Sequence, residues 1–296
     1  MVQIELNRES YTLPDNIVGH DGCKYTISDQ LLGKGGNGVV FECENAANGE
    51  VFALKVLINN KSPRFKRFQR EIKIISCLSH EHIVTYINHG NILIHHKCSA
   101  FNHRNSTKQQ KFLAPFVIMR KADSNLREFL IKDSSPMRFE DYYSQFVGLS
   151  RALEQLHSKA RAVHRDIKPD NILISGEIWQ ISDFGLCAQI EEEEEQLTRF
   201  DEAVGPRYWM SPEAVSKAMG LGDVIDCCSD LFQLASVFWF VVTRRPPIGV
   251  LTIDDWSGPH SLGKLLLETL QHGSYRRPKS ATEFLKGLEE VKFSST

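Results

Sequence analysis

The sequence predicts an α+β chain in two parts: an amino-terminal part rich in strands with one main helix, and a larger, mostly helical carboxy-terminal part. Three observations predict it. A glycine-rich turn at Gly33–Gly38 precedes the apolar run Val51 to Ile58, which reads as hairpin and strand. Pro63 to Leu78 carries Phe65, Phe68, Ile72 and Ile75 at three- and four-residue steps, the period of a helix. Further on, Tyr143 to His157 and Leu231 to Val242 have helical spacing or helical length, with no strand alternation between their apolar positions.

In chain order, Gly33-Lys34-Gly35-Gly36-Asn37-Gly38-Val39-Val40 fits G-x-G-x-x-G-x-V. Glycines let a hairpin backbone pass close over a ligand where a Cβ would clash. By itself such a hairpin is only a turn. Ala53-Leu54-Lys55 follows on the next strand, and a lysine inside so apolar a run is costly to bury unless it is matched by an acid. Glu71 lies three residues after Phe68 and four before Ile75, on the inward stripe of the predicted helix. Lys55 and Glu71 are therefore expected to form an ion pair; the alternative puts Glu71 on a solvated edge. Phe116-Val117-Ile118-Met119 is a short apolar run. Phe146, Leu149, Leu153 and Leu156 mark the inward face of the helix that leads to His164-Arg165-Asp166-Ile167-Lys168-Pro169-Asp170-Asn171, and Asp183-Phe184-Gly185 begins twelve residues after Asn171.

This last pair of motifs, taken with the glycine hairpin and Lys55, resembles the eukaryotic-type serine/threonine protein kinases. The resemblance runs from about residue 25 to about residue 290. It implies the two-lobed kinase fold, with a lobe at 1–121 that clamps the nucleotide and ends in a hinge, and a lobe at 122–296 with the catalytic loop, activation segment and substrate side. It implies ATP as co-substrate and Mg²⁺ or Mn²⁺ as the metal, held by Asn171 and Asp183 as hard oxygen donors. Asp166 would be the catalytic base, Lys168 the charge on the transferred phosphate and the mark of Ser/Thr specificity, and Lys55 and Glu71 the strand–helix pair. Gly33, Gly35, Gly38, Val40, Ala53, Lys55, Met119 as gatekeeper, Arg120, Ala122 and Leu173 would line the nucleotide site. Leu78-Ser79-His80-Glu81-His82-Ile83-Val84 resembles the loop after the main helix, and Ser211-Pro212-Glu213 stands where the family has Ala-Pro-Glu. Asp230 resembles the buried acid that braces the catalytic loop, and Arg277 the late arginine that pairs with Glu213. The implied partners are a protein carrying the accepting Ser or Thr and a second copy of the chain for trans-autophosphorylation. Two rivals stay open: a binding scaffold on a catalytically weak kinase fold, and a small-molecule phosphotransferase.

Composition narrows the field. At 296 residues and 42% hydrophobic, the chain can bury one two-lobed unit and little else. A formal net charge of −2 gives no general case for nucleic acid or an anionic membrane, and Leu231 to Val242 is far short of a bilayer span. The opening Met-Val-Gln-Ile-Glu has neither a basic nor an apolar leader region, so a cytoplasmic protein is expected. Seven cysteines without a C-x-x-C pair are expected to be free thiols; Cys187 reads as a plain loop thiol rather than a reactive one. His95, His96 and His103, around the polar stretch Lys97 to Lys111, fit no metal-ligand spacing and are assigned to a long solvated hairpin loop. Lys61, Arg64, Lys66, Arg67 and Arg70 are read as a solvated helix face or a dock for acids of the activation segment.

That segment, Asp183 to Glu213, contains the acidic run Glu191 to Glu195. Arg165 resembles the arginine that such enzymes pair with an activating phosphate. Counting eleven residues back from Glu213 gives Glu202, already an acid, and Thr198 lies four residues earlier. Three readings stand: Glu202 replaces the phosphate, Thr198 is phosphorylated, or the run is a solvated acidic loop. Pro206 stands where the family has a threonine, which puts the usual peptide geometry in doubt, and the short stretch after Thr243 suggests abbreviated docking helices.

Overall fold

The structure, a computed structural model, describes residues 1–6, 9–35, 38–58, 62–97, 109–133, 135–190 and 207–291. Thr198, Glu202, Pro206, Lys61, His103 and the run Glu191 to Glu195 lie outside them. Contacts divide the chain into two units, Met1–Ile72 with Thr85–Lys121, and Lys73–Val84 with Ala122–Thr296.

The first unit is built on an antiparallel sheet of eight strands: β1 (Val2–Leu6), β2 (Glu9–Leu13), β3 (Asn16–Val18), β4 (Lys24–Gly35), β5 (Gly38–Asn45), β6 (Val51–Val56), β7 (Tyr86–Lys97) and β8 (Gln109–Arg120). The spatial order is β1-β2-β7-β8-β6-β5-β4-β3. Its alternate residues Phe41, Phe52, Leu54, Val56, Phe116 and Ile118 enter one hydrophobic core with Val2, Ile4 and Leu13 from the first strands. Three strands thus precede the region that carries the kinase resemblance. The signal for β1 was present, since Val2-Gln3-Ile4-Glu5 alternates apolar and polar and the structure buries Val2 and Ile4.

Two expectations need correction. The stretch around Lys97 to Lys111 is not all loop. His95 and His96 belong to β7 opposite Lys111 and Gln110 of β8, and the His96 ring stacks on Tyr11 at 4.5 Å. The apolar alternation of Ile92 and Ile94, both buried, carries the ladder outward past the point where composition turns polar. The main helix, α1 (Ser62–Ser76), forms as expected, but the basic cluster is not one solvated face. Arg67 is buried, because Arg67, Glu71 and Ile74 follow each other at four and three residues on one stripe.

The second unit contains the short strand β9 (Ser124–Asn125), helices α2 (Leu126–Lys132) and α3 (Phe139–Ser158), strands β10 (Ala162–Val163), β11 (Ile172–Ser175), β12 (Ile178–Ile181) and β13 (Ala188–Gln189), then α4 (Pro212–Ala218), α5 (Cys227–Thr243), α6 (His260–Thr269) and α7 (Ala281–Glu289). Asn125 caps α2 by accepting from the Glu128 amide. The start of α5 is fixed by a capping box between Asp226 and Ser229. That helix is buried nearly all round, as its apolar sequence requires. Phe238 stacks on Phe146 of α3 at 3.7 Å, so the two longest helices of this unit share one core. Among the described residues, no helix is long and apolar enough to cross a membrane, and no disulfide occurs.

Candidate active site

In the first unit the two-residue period of the sheet gathers the candidate nucleotide residues on the face opposite the core. Gly33 is opposite Val40, Val40 opposite Lys55, and Ala53 opposite Met119. Lys55 and Ala53 are two residues apart, so all of them point the same way. Arg120 is exposed at the end of β8, opposite Phe52. Gly35 is opposite Gly38 where the hairpin closes. Gly38 must be glycine, because a Cβ there would run into the Val56 carbonyl. Gly33 has open space above it instead, room that a ligand could take.

Lys55 Nζ donates to Glu71 Oε1 at 2.7 Å, with both side chains buried. Burial makes each charge depend on the other. The Tyr86 hydroxyl donates to the same carboxylate oxygen. Tyr86 is a member of this cluster that the sequence did not reveal, since a tyrosine at the start of a strand has no distinguishing pattern.

In the second unit the candidate catalytic loop hangs from α5. Asp230 is fully buried and its carboxylate accepts from the His164 amide at 2.7 Å and the Arg165 amide at 2.8 Å. His157, from the last turn of α3, lies 2.8 Å from Asp230 Oδ2. Burial pushes Asp230 toward its neutral form, but the His157 contact outweighs it, so the carboxyl is held below its ordinary value. Burial likewise opposes charge on His157, and the Asp230 hydrogen bond carries its pKa up to about 9. One turn further along α5, Gln233 accepts from the Ile167 amide at 3.1 Å and donates to the Arg165 carbonyl at 3.1 Å. His157 and Gln233 were missed in the sequence; the only available signal for Gln233 was its spacing of three from Asp230, which puts both on one helix face.

Asp166 is buried and held on two sides. Lys168 Nζ donates to its two carboxylate oxygens at 2.9 and 2.7 Å. Asn171 Nδ2 donates to its Oδ2 and to its carbonyl, both at 2.8 Å. Burial raises the Asp166 pKa to about 6, against the opposing pull of Lys168. The Asn171 carbonyl in turn accepts from the Ser182 amide and hydroxyl, each at 2.9 Å, which ties the loop to the residue before Asp183. Leu173 is half-buried on β11 between Asn125 and Gln180, and Ala122 is half-buried just before β9.

Asp183 has φ 58° and Arg165 has φ 71°, two of the four non-glycine residues with positive φ among those described. Such backbone costs about 1–3 kcal/mol and persists where its surroundings enforce it, commonly at sites of function. Phe184 is buried with its ring edge-on to His164 at 4.9 Å, so the Asp183 turn is anchored to the same loop. Further along, Glu213 is bound by Arg277 through two hydrogen bonds of 2.8 and 3.0 Å and by the Ser229 hydroxyl at 2.6 Å. Burial opposes the Glu213 charge, but these donors keep its carboxyl below the ordinary value. Cys187 is buried, as a structural thiol is.

The donor chemistry suits a hard cation. Asn171 spends its NH₂ group on Asp166, which leaves its Oδ1 to another group. Among the described residues no cluster of three or more His, Cys, Asp or Glu could hold a metal by itself. A cation sitting on Asn171 and Asp183 would therefore need oxygen ligands from elsewhere, the habit of Mg²⁺ with phosphates and water.

The chain is similar in sequence to known protein kinases. The chain is 26% identical over 230 residues to a probable serine/threonine-protein kinase of Bifidobacterium longum, covering 76% of this chain and 31% of that protein. It is 28% identical over 241 residues to a probable receptor-like serine/threonine-protein kinase of Arabidopsis thaliana, covering 77% of this chain and 49% of that one. It is 29% identical over 226 residues to the serine/threonine-protein kinase PknD of Mycobacterium tuberculosis, covering 74% of this chain and 29% of PknD. The chain thus spans about a third to a half of the length of these relatives. Residues 26–291, nearly the whole chain, match the family described as the protein kinase domain, and the chain belongs to that family.

Proposed function

We propose that the chain is an ATP- and Mg²⁺-dependent protein serine/threonine kinase. The carrying observation is Asp166, a buried carboxylate positioned by Lys168 and Asn171, with a pKa of about 6. In this reading the acceptor hydroxyl oxygen bonds to the γ-phosphorus as the bond from phosphorus to the ADP oxygen breaks, and the hydroxyl proton passes to Asp166. Lys168 balances charge beside the incoming phosphoryl group. Lys55, fixed by Glu71, holds the remaining phosphates. Mg²⁺ or Mn²⁺ on Asn171 and Asp183 would offset the triphosphate charge. Gly33, Gly35, Gly38, Val40, Ala53, Met119, Arg120, Ala122 and Leu173 serve the nucleotide, with 1–121 as the nucleotide lobe and 122–296 as the catalytic lobe. A cytoplasmic setting, protein substrates and autophosphorylation between copies belong to the same reading.

The test is phosphate incorporation from γ-labelled ATP with Mg²⁺, followed by mapping of the modified residues. Labelled Ser or Thr is expected. Asp183→Asn should also weaken Mg-ATP binding; equal affinity in the variant and the parent would remove Asp183 from the metal site.

A further inference from the structure

The glycine-rich hairpin is held from a side that the chemistry just described does not use. The eight-stranded sheet curls until β1, first in its spatial order, stands beside β4, seventh in that order. One face of β1 is buried: Val2 and Ile4 enter the core that also holds Val39 and Phe41 of β5, while Gln3 and Glu5 are exposed. Both β1 and β2 lie ahead of the family match, which begins at residue 26.

β1 and β4 are not paired as strands. The pairing of β4 with β5 shifts register between Ile27 and Leu31 and again between Leu31 and Gly33, and irregularities of this kind bend a strand. A cavity of about 480 Å³ lies between the two strands, with Gln3 and Glu5 on one side and Asp29, Leu31 and Lys34 on the other. Lys34 Nζ reaches across and donates to the Glu5 carbonyl at 3.2 Å.

The register tells which way Lys34 points. Lys34 is opposite Val39, which is buried in the sheet core, whereas Gly33 is opposite Val40 on the candidate nucleotide face. Side chains alternate along a strand, so Lys34 leaves the hairpin on the side away from that face. Its amine is therefore spent on β1 and not on phosphate. A glycine-rich hairpin gains most from such a tie, because glycine has the most backbone freedom to lose when the hairpin settles on a ligand.

We propose that β1 is a clamp on the glycine-rich hairpin, with Lys34 the positioning residue that ties hairpin to strand, and that the clamp raises affinity for the nucleotide by ordering the hairpin before the nucleotide binds. This rests on the kinase reading above and adds a means of setting nucleotide affinity from strands outside the kinase-domain match. One hydrogen bond from a charged donor is at stake, so the expected effect is about three- to tenfold in affinity.

The experiment titrates Mg-ATP directly and measures kcat at saturating ATP in the parent, Lys34→Met, Lys34→Arg, Ile4→Ala and the double variant of Lys34→Met with Ile4→Ala. Lys34→Met should raise the Kd for Mg-ATP about three- to tenfold with kcat nearly unchanged, and Lys34→Arg, which keeps a donor, should restore most of the affinity. Ile4→Ala loosens β1 without touching a charge and should raise Kd in the same way; Val2→Ala takes its place if it fails to fold. The double variant should lose little more than either single one, because both break the same tie. An unchanged Kd in Lys34→Met overturns the proposal. So does a Kd that rises in Lys34→Met but not in Ile4→Ala, which would put Lys34 on the nucleotide itself, and so does a loss that falls on kcat instead of Kd. A parent that transfers no phosphate but shows the expected order of affinities defeats the kinase reading and supports the clamp. A parent that binds no Mg-ATP overturns both.

Discussion

At the scale of single residues, Asp166 and the Lys55–Glu71 pair are buried charges whose environments do different things. Asp166 is pushed up by burial to about 6, close to the pH at which it would work, so it is a better proton acceptor than an ordinary carboxylate. Only its ionised form can accept a proton. Turnover should therefore fall as pH drops through about 6, and a flat profile of kcat between pH 5 and 7 would remove Asp166 from the rate-determining chemistry. Lys55 and Glu71 are a mutual dependency in which Tyr86 shares. Lys55→Met removes the proposed phosphate contact and leaves a buried carboxylate with one donor fewer, whereas Glu71→Gln keeps an acceptor for the ammonium. Steady-state kinetics should show the larger loss of kcat/KM in Lys55→Met; the reverse order would contradict the roles given to the two residues. These two were legible in the sequence because a lysine in an apolar strand and an acid on an apolar stripe are each expensive alone. Tyr86 and His157 were not legible, since each acts through a contact with a residue distant in sequence that no local period encodes, and Gln233 offered only its spacing from Asp230.

At the scale of elements, the period of each segment decides what it presents. The sheet puts Val40, Ala53, Lys55 and Met119 on one face and Phe41, Leu54, Val56 and Phe116 on the other, so a single register fixes both the core and the candidate nucleotide surface. The α5 helix does the same for the candidate catalytic loop, with Asp230 and Gln233 receiving its amides on one face. Apolar periodicity announced α1, α3 and α5. It failed at the β7–β8 hairpin, where polar composition hid a ladder held by main-chain pairing and by the alternate residues Ile92 and Ile94. The link between α4, α5 and the turn after α6 is the Glu213–Arg277 pair, in which the arginine side chain is fully buried. Arg277→Ala would strand Glu213 and leave the Gln271 and His272 carbonyls without their donors. Loss of one partner of such a pair costs about 3–5 kcal/mol, which corresponds to a fall in Tm on the order of 10 °C for a unit of this size. A thermal scan showing no fall would mean that the pair does not hold these elements together.

For the whole molecule, two units are built separately: the first carries a sheet face with a lysine and glycines, and the second a braced loop with Asp166, Asn171 and Asp183. The family was legible from sequence because the motifs of the second unit are short and contiguous and because the glycine hairpin and Lys55 come in the expected order before them. The three strands before residue 25 were not part of that resemblance, and of them β1 carries a clear apolar–polar alternation. The central claim is that Asp166 accepts the proton of the hydroxyl that receives phosphate, and its most direct test is Asp166→Asn. Transfer of label from γ-labelled ATP and ATP affinity are measured on the same preparation. The account predicts a loss of turnover of about 10²–10⁴-fold with ATP affinity preserved. Turnover near that of the parent would contradict it.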